Sequence, residues 1–330
     1  MKPEAVRDLP QPAPRDASFM RGMSLGLFAS TTDEGERRAI YRTLLDEMRS
    51  LGVTDVQIVV EWTQQDVRAV EIAPDSATPT DTLLEDVISA AKERGLRVFL
   101  MPILRIQSRV GREWRGTLAP IDRNRWWVSY RRFILHYADL AERSKVDLFA
   151  VGSELISMEL EAQVWRDLIA DVRTKYGGRV TYSANWDHFE PVAFWDALDV
   201  IGVTAYQPLG SDGVRDDIEL ARGFLTFKAK LGAFATERQK SYIFTEVGYP
   251  STSHAAVRPW DHRSGTVDLE LQVACYRALF RAWHDDPKLT GIFIWNWFGF
   301  GGADDPSHTP RKKPAAAVLE HWYRARREAW

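Results

Sequence analysis

Hydrophobic residues in this 330-residue chain collect into eight short runs, separated by longer stretches where they recur every third or fourth position. The runs are "MSLGLFA" from Met23, "DVQIVVEW" from Asp55, "LRVFLMP" from Leu96, "VDLFAVG" from Val146, "RVTYSAN" from Arg179, "LDVIGVTAY" from Leu198, "YIFTEVG" from Tyr242 and "GIFIWNW" from Gly291. Their near-continuous Val, Ile, Leu and Phe content is that of strands buried on both faces. Helical stripes lie between them. Ile40, Leu44, Leu45, Met48 and Leu51 form one, opened by Asp33 and Glu36 at capping-box spacing and closed by Gly52. Leu84, Val87, Ile88 and Ala91 form a second, and Trp165, Leu168, Ile169 and Val172 a third.

Strand and helix therefore alternate along the chain, which predicts the α/β class and a single (β/α)8 TIM barrel over residues 19–330. An open doubly wound sheet would usually carry a phosphate-binding glycine turn, and neither G-x-G-x-x-G nor G-x-x-x-x-G-K-[ST] occurs. The alternation is least regular around "PVAFWDALD", where the helix is short, and from Gly210 to Lys240, where one or two helices fit. Residues 1–18, "MKPEAVRDLPQPAPRDAS", are proline-rich and polar and read as a flexible tail without the apolar core of a signal peptide. Such a tail suits a native N-terminus, or the tether left when an export or lipoprotein signal is removed.

Composition narrows the function. The formal net charge is -3 and no basic run is dense enough to follow a phosphate backbone, so nucleic acid is not an expected partner. No run approaches the roughly 20 apolar residues of a membrane span. Cys275 is the only cysteine and sits in an amphipathic pattern, which excludes an intrachain disulfide and suits a small buried thiol. The seven histidines show no H-E-x-x-H, and neither a metal nor another cofactor is expected; a monomer is.

In a barrel of this kind the active site lies at the C-terminal ends of the strands. Those ends hold Glu61 and Trp62, Arg105 and Gln107, Ser153 and Glu154, Asn185 and Asp187, Tyr206 and Gln207, Glu246, and Trp295 and Asn296. Carboxylates, amides and aromatics suit a sugar, whose hydroxyl edge takes hydrogen bonds and whose C–H face stacks on a ring. Glu154 and Glu246 each finish an apolar run, where an ionised group is costly unless it meets water, a partner or a substrate. They fall on the fourth and seventh strands, which face each other across an eight-stranded mouth. Glycoside hydrolysis requires two such carboxyl groups.

Here the chain resembles the retaining glycosidases built on (β/α)8 barrels, and within them glycoside hydrolase family 113, whose characterised members are mostly β-1,4-mannanases. The resemblance is carried by "VGSE" at Val151–Glu154, "EWTQQD" at Glu61–Asp66, "TEVGYPS" at Thr245–Ser251, "FIWNWF" at Phe293–Phe298 and the closing "TPRKKPAAAVLEHWY", and covers about residues 20–325. It implies Glu154 as general acid/base, Glu246 as nucleophile, Tyr206 as the residue orienting Glu246 and Trp295 as the aromatic floor. "MPIL" at Met101–Leu104 departs from the lysine-proline-histidine type of third-strand end in the mannanases, leaving Arg105 and Gln107 to supply polar contacts.

The substrate expected is a carbohydrate, with β-1,4-mannan leading and a β-glucan, an amino-sugar polymer or a bacterial exopolysaccharide as alternatives. A barrel that binds sugar without catalysis, and a transglycosylase, are the other classes. Among the 13 tryptophans, Trp126, Trp127, Trp165, Trp195 and Trp283 read as packing, whereas Trp62, Trp114 and Trp295 are candidates for sugar stacking. "GREWRGTLAP", containing Trp114, reads as a loop over the cleft, and "RKK" at Arg311–Lys313 as an exposed turn.

Overall fold

The computed structural model describes residues 4–10, 18–28 and 30–324. Eight parallel strands, Met20–Gly26 (β1), Asp55–Gln64 (β2), Arg97–Ile106 (β3), Leu148–Ser153 (β4), Arg179–Asn185 (β5), Val200–Thr204 (β6), Tyr242–Val247 (β7) and Leu289–Ile294 (β8), follow one another around the sheet, and β1 also pairs with β2. The fold is the expected (β/α)8 barrel. A two-residue strand, Ile72–Ala73, runs antiparallel to the end of β2. Among the described residues eight α-helices accompany the strands: Glu34–Ser50 (α1), Asp81–Glu93 (α2), Arg123–Arg143 (α3), Ala162–Lys175 (α4), Asp217–Arg222 (α5), Leu225–Glu237 (α6), Leu269–Trp283 (α7) and Ala315–Tyr323 (α8). No helix among the described residues is long and apolar enough to cross a membrane.

Two compact units divide the chain. One comprises residues 25–45 and 55–203. In it β2 and β3 pair in continuous register over ten positions, beginning with Asp55 opposite Arg97, whose side chains form a doubly bonded ion pair. Helix starts follow local chemistry. Thr80 and Asp122 cap α2 and α3 by accepting from Leu83 N and Arg125 N. At α1, Asp33 accepts from Glu36 N, while the Glu36 carboxylate turns to the Thr31 hydroxyl instead of closing the box. The short pattern at "PVAFWDALD" forms only a 3₁₀ turn, Trp195–Ala197.

Of the tryptophans read as packing, Trp126, Trp127, Trp165 and Trp195 belong to a continuous aromatic lattice outside β4 and β5. Trp126 stacks on Tyr130 and Trp165 on Phe194, each pair with centroids 4.8 Å apart, and Tyr182 meets Trp165 edge-on.

The second unit comprises residues 1–24, 46–54 and 204–330. Here β1 pairs with β8 and β7 with β8. The segment 210–240 holds two helices, α5 and α6. From the stretch read as a tail, residues 4–10 are described, with Val6 and Leu9 buried and the Ala5 and Arg7 carbonyls held by Arg277. Residues 1–3 and 11–17 of that stretch lie outside the described residues.

The "RKK" cluster is a turn before α8, as expected, but only Lys312 of its three side chains is exposed. Arg311 forms a doubly bonded ion pair with Glu47, and Lys313 is buried, donating to Ser251 Oγ and the Ser307 carbonyl at 2.9 Å each. The reason is that the loop after β8 folds back on the loop after β7, where carbonyls need a buried donor. Burial pushes the Lys313 ammonium down to about 8.

Candidate active site

Glu154 follows β4 directly and is 7% exposed. Its placement begins at Gly152. A Cβ there would come within 2.7 Å of the Tyr130 hydroxyl and 3.0 Å of both Trp165 and Tyr182, so only glycine lets the aromatic lattice close on the strand. The register of β4 against β5 breaks between Ala150 and Ser153, a bulge that re-aims the end of the strand. Glu154 then adopts a left-handed backbone, φ 55°, costing an L-residue about 1–2 kcal/mol. Its N–H is held by the Ser183 carbonyl at 2.8 Å, and the next N–H, of Leu155, by Tyr182 Oη at 2.8 Å.

Arg115, in the "GREWRGTLAP" loop, donates from Nη2 to Glu154 Oε2 at 2.6 Å. Beyond Leu155, Tyr182 Oη donates to Glu159 Oε1 at 2.6 Å, and Glu159 is completely buried. Its other oxygen faces His188 Nε2 at 3.6 Å. Desolvation, against the Tyr182 hydrogen bond and with the Glu154 and Asp187 charges, raises the Glu159 carboxyl to about 7.

The other polar residues of this unit form a second cluster. Arg105 pairs with Glu61 at 3.1 Å and with Asp75, and Gln107 Nε2 donates to Thr63 Oγ1 at 3.2 Å. Burial raises the Glu61 carboxyl, opposed by Arg105, Arg115 and Arg109. Asn185 ends β5 half-buried, and Asp187 is exposed. Trp114 is half-buried with its ring over Gly116. Trp62 does not join these residues. It is 8% exposed and ringed by Phe133, His136 and Tyr137 of α3, so alternation along β2 turns it to the helix layer.

In the second unit Glu246 lies within β7, 4% exposed, where the register against β8 breaks between Phe244 and Val247. Tyr206 Oη donates to Glu246 Oε2 at 3.1 Å. Gly248 is dictated by the neighbouring strand end, since a Cβ there would lie 2.2 Å from the Trp295 carbonyl oxygen. Trp295 is half-buried beside the edge of Phe298, and Asn296 is 6% exposed. Behind Tyr206 lies His308, buried, its Nε2–H donating to the Pro259 carbonyl at 2.7 Å; desolvation lowers it to about 4.

At the strand ends, Ser153 Oγ and both side-chain polar atoms of Gln207 are buried without a hydrogen-bond partner among the described residues. Buried polar atoms normally have partners, so groups like these at strand ends are suited to a ligand's hydroxyls. Arg115, Glu159 and Tyr182 were not among the sequence-derived candidates. Arg115 lay inside a loop singled out only for its tryptophan, and Glu159 and Tyr182 needed the lattice geometry to be seen.

A barrel with carboxylates delivered by bulged strand ends, amides and half-exposed aromatics defines the class of sugar-cleaving enzymes, and the likeness to known proteins specifies it. The model of Glycoside Hydrolase Family 113 matches residues 27–301, and the chain belongs to that family. A structure of a GH113 β-1,4-mannanase superposes with a TM-score of 0.84 at 25% identity, covering 94% of this chain and 100% of the other. A GH113 β-mannanase from Alicyclobacillus acidocaldarius, in complex with ManMIm, gives 0.82 at 29% identity, with 93% and 98% covered. A Ruminococcus gnavus β-glucuronidase shares the fold alone, at 14% identity and a TM-score of 0.65, over 93% of this chain and 50% of that one. No match was found among curated proteins. The chain is a glycosidase.

Proposed function

We propose that the protein is a retaining β-glycanase with β-1,4-mannan as its leading substrate, Glu246 the nucleophile and Glu154 the general acid/base. Glu246 attacks the anomeric carbon while Glu154 gives its proton to the departing glycosidic oxygen. The bond to the leaving sugar breaks and a glycosyl ester of Glu246 forms. Glu154, now a carboxylate, takes a proton from water, whose oxygen displaces Glu246 and frees the sugar with its original configuration. Tyr206 holds the attacking oxygen of Glu246 in line. Trp295 supplies the stacking face, and Ser153, Gln207, Asn185, Asp187 and Asn296 the hydroxyl contacts.

The observation that carries this reading is the parallel construction of the two glutamates. Each is buried at a strand end where the register breaks, and each is held by a neighbouring side chain, Tyr206 for Glu246 and Arg115 for Glu154. The mannan assignment draws on the activity named for the family's solved mannanases, proteins of 25% and 29% identity.

The test is reducing-end release from a panel of defined β-linked oligosaccharides, beginning with mannohexaose, by the wild-type chain and by Glu246→Gln. Cleavage of mannohexaose that disappears in the variant is expected. Cleavage retained in Glu246→Gln contradicts the nucleophile, and cleavage only of another member of the panel replaces mannan with that glycan.

A further inference from the structure

The backbone at Glu154 is held from behind by groups that take no part in the proposed bond changes. A left-handed residue other than glycine persists where its surroundings over-determine it. Two hydrogen bonds do so here, from Glu154 N to the Ser183 carbonyl and from Leu155 N to Tyr182 Oη, each 2.8 Å. The first is a main-chain bond that any residue at position 183 would supply. The second depends on a phenol. Tyr182 Oη has a single hydrogen and, having accepted from Leu155 N, gives it to Glu159 Oε1 at 2.6 Å. The Leu155 N–H, the Tyr182 hydroxyl and the Glu159 carboxyl thus form a line of hydrogen bonds polarised one way, in which each link strengthens the next.

The Tyr182 ring has no room to let this line slacken. It meets Trp165 and Phe194 edge-on, with centroids 5.2 Å away in both cases, and its Cε2 lies 3.0 Å from where a Cβ on Gly152 would stand. What sets this tyrosine apart is its acceptor. In the same lattice Tyr130 Oη, Trp165 Nε1 and Trp195 Nε1 donate to main-chain carbonyls, those of Val151, Met158 and Phe189. Tyr182 donates instead to a completely buried carboxyl, whose other oxygen faces His188 Nε2 at 3.6 Å. Burying a carboxyl costs stability that the packing of one ring does not require, whereas a carboxylate draws a hydroxyl more tightly than a carbonyl does. The costly group sits five residues from Glu154, close enough for the Glu154 charge to act on it. A local rule broken beside a reactive group points to a functional demand.

We propose that Tyr182 and Glu159 are positioning residues for the acid/base: by fixing the Leu155 N–H they hold the turn at Glu154, and with it the direction in which the Glu154 carboxyl presents its proton to the leaving oxygen. Neither residue gives or takes the transferred proton. Without the phenol oxygen the buried Leu155 N–H loses its acceptor, and the peptide must turn to find another, which releases the left-handed backbone and displaces the carboxyl. A displacement of about 1 Å slows a positioned step by roughly two orders of magnitude. This rests on Glu154 being the acid/base of the reaction proposed above.

The test uses Tyr182→Phe, which keeps the ring in the lattice and removes the hydroxyl, beside Glu159→Leu, which removes the acceptor, and Glu159→Gln, which keeps an accepting oxygen. Each is assayed on two substrates. One is mannohexaose, or the panel glycan that the wild type cleaves, whose leaving sugar needs a proton. The other is the 2,4-dinitrophenyl glycoside of the same sugar, whose leaving group needs none. Tyr182→Phe should lower kcat/KM on the oligosaccharide by about 10- to 100-fold, and at least about tenfold further than on the dinitrophenyl glycoside. Glu159→Leu should show the same split and Glu159→Gln a smaller one. Equal losses on both substrates, the mark of a general disturbance of the site, overturn the proposal, and so does an undiminished kcat/KM on the oligosaccharide.

Glu154→Gln, run in parallel, separates the two levels, and should show the split more strongly than Tyr182→Phe. A split in Glu154→Gln without one in Tyr182→Phe overturns the positioning role and leaves the acid/base in place. No split in Glu154→Gln removes the acid/base assignment, and the positioning role with it.

Discussion

Tyr206 donates its phenolic hydrogen to Glu246 across 3.1 Å, joining the end of β6 to the carboxylate on β7. Both residues are nearly buried, so no abundant water competes for the bond. Removing the hydroxyl in Tyr206→Phe keeps the ring packed and releases only the hydrogen bond. A bond to a charged group is worth about 1.5–3 kcal/mol, so kcat should fall roughly 10- to 100-fold with little change in Tm. Steady-state kinetics beside a thermal melt checks this, and an unchanged kcat would return Tyr206 to a packing role.

Gly248 and Gly232 make opposite predictions from the same substitution. At Gly248 an added methyl meets the Trp295 carbonyl oxygen at 2.2 Å, two residues from Glu246. Gly248→Ala should cost more than about 2 kcal/mol and lower kcat at least tenfold, because the strand ends must separate. Gly232 lies inside α6, and a methyl added there would meet nothing within 4 Å. Gly232→Ala should stabilise the protein by about 0.5–1 kcal/mol and leave kcat alone, as denaturant melts and kinetics would show.

Glu159 gives the stability a pH dependence. Its folded carboxyl titrates at about 7 against an ordinary 4.5, so folding favours the protonated form. The stability this residue allows is fully present below about pH 4.5 and is lost as pH rises toward 7, by up to roughly 3 kcal/mol. Glu159→Gln, neutral at every pH, should therefore match the wild type near pH 4.5 and exceed its Tm increasingly up to pH 7.5. A Tm difference that stayed flat across that range would contradict the buried ionisation.

The two strand-end tryptophans should behave differently. Trp62→Phe should lower Tm while leaving KM unchanged, because its ring packs on Phe133, His136 and Tyr137. Trp295→Ala should raise KM by an amount equivalent to about 1–3 kcal/mol, the worth of a lost sugar-stacking face. A Trp62 variant with weakened substrate binding would reverse this division.

Much of this architecture is legible in the residue pattern. Continuous apolar runs mark each barrel strand, and the stripe Trp165, Leu168, Ile169 and Val172 is the buried face of α4. Glu154 and Glu246 stand out because a carboxylate ending such a run is physically expensive. The pattern is silent where a side chain's direction depends on a bulge or on a partner distant in sequence. Trp62, near the end of β2, has the sequence position of a residue facing the mouth, yet strand alternation turns it outward. Lys313 has the sequence context of a solvated cluster, since no local signal tells that its ammonium meets Ser251, 62 residues away. Arg115 reaches Glu154 from 39 residues away, a distance that only the folded loop closes.

Double displacement through Glu246 underlies all of the proposed chemistry, and the stereochemistry of the first product is its sharpest check. Proton NMR should follow mannohexaose cleavage by the wild type before the anomers equilibrate, with Glu246→Gln in parallel. The β anomer should accumulate first, and the variant should be silent. An α anomer appearing first, or turnover by Glu246→Gln, would rule out a glycosyl ester on Glu246.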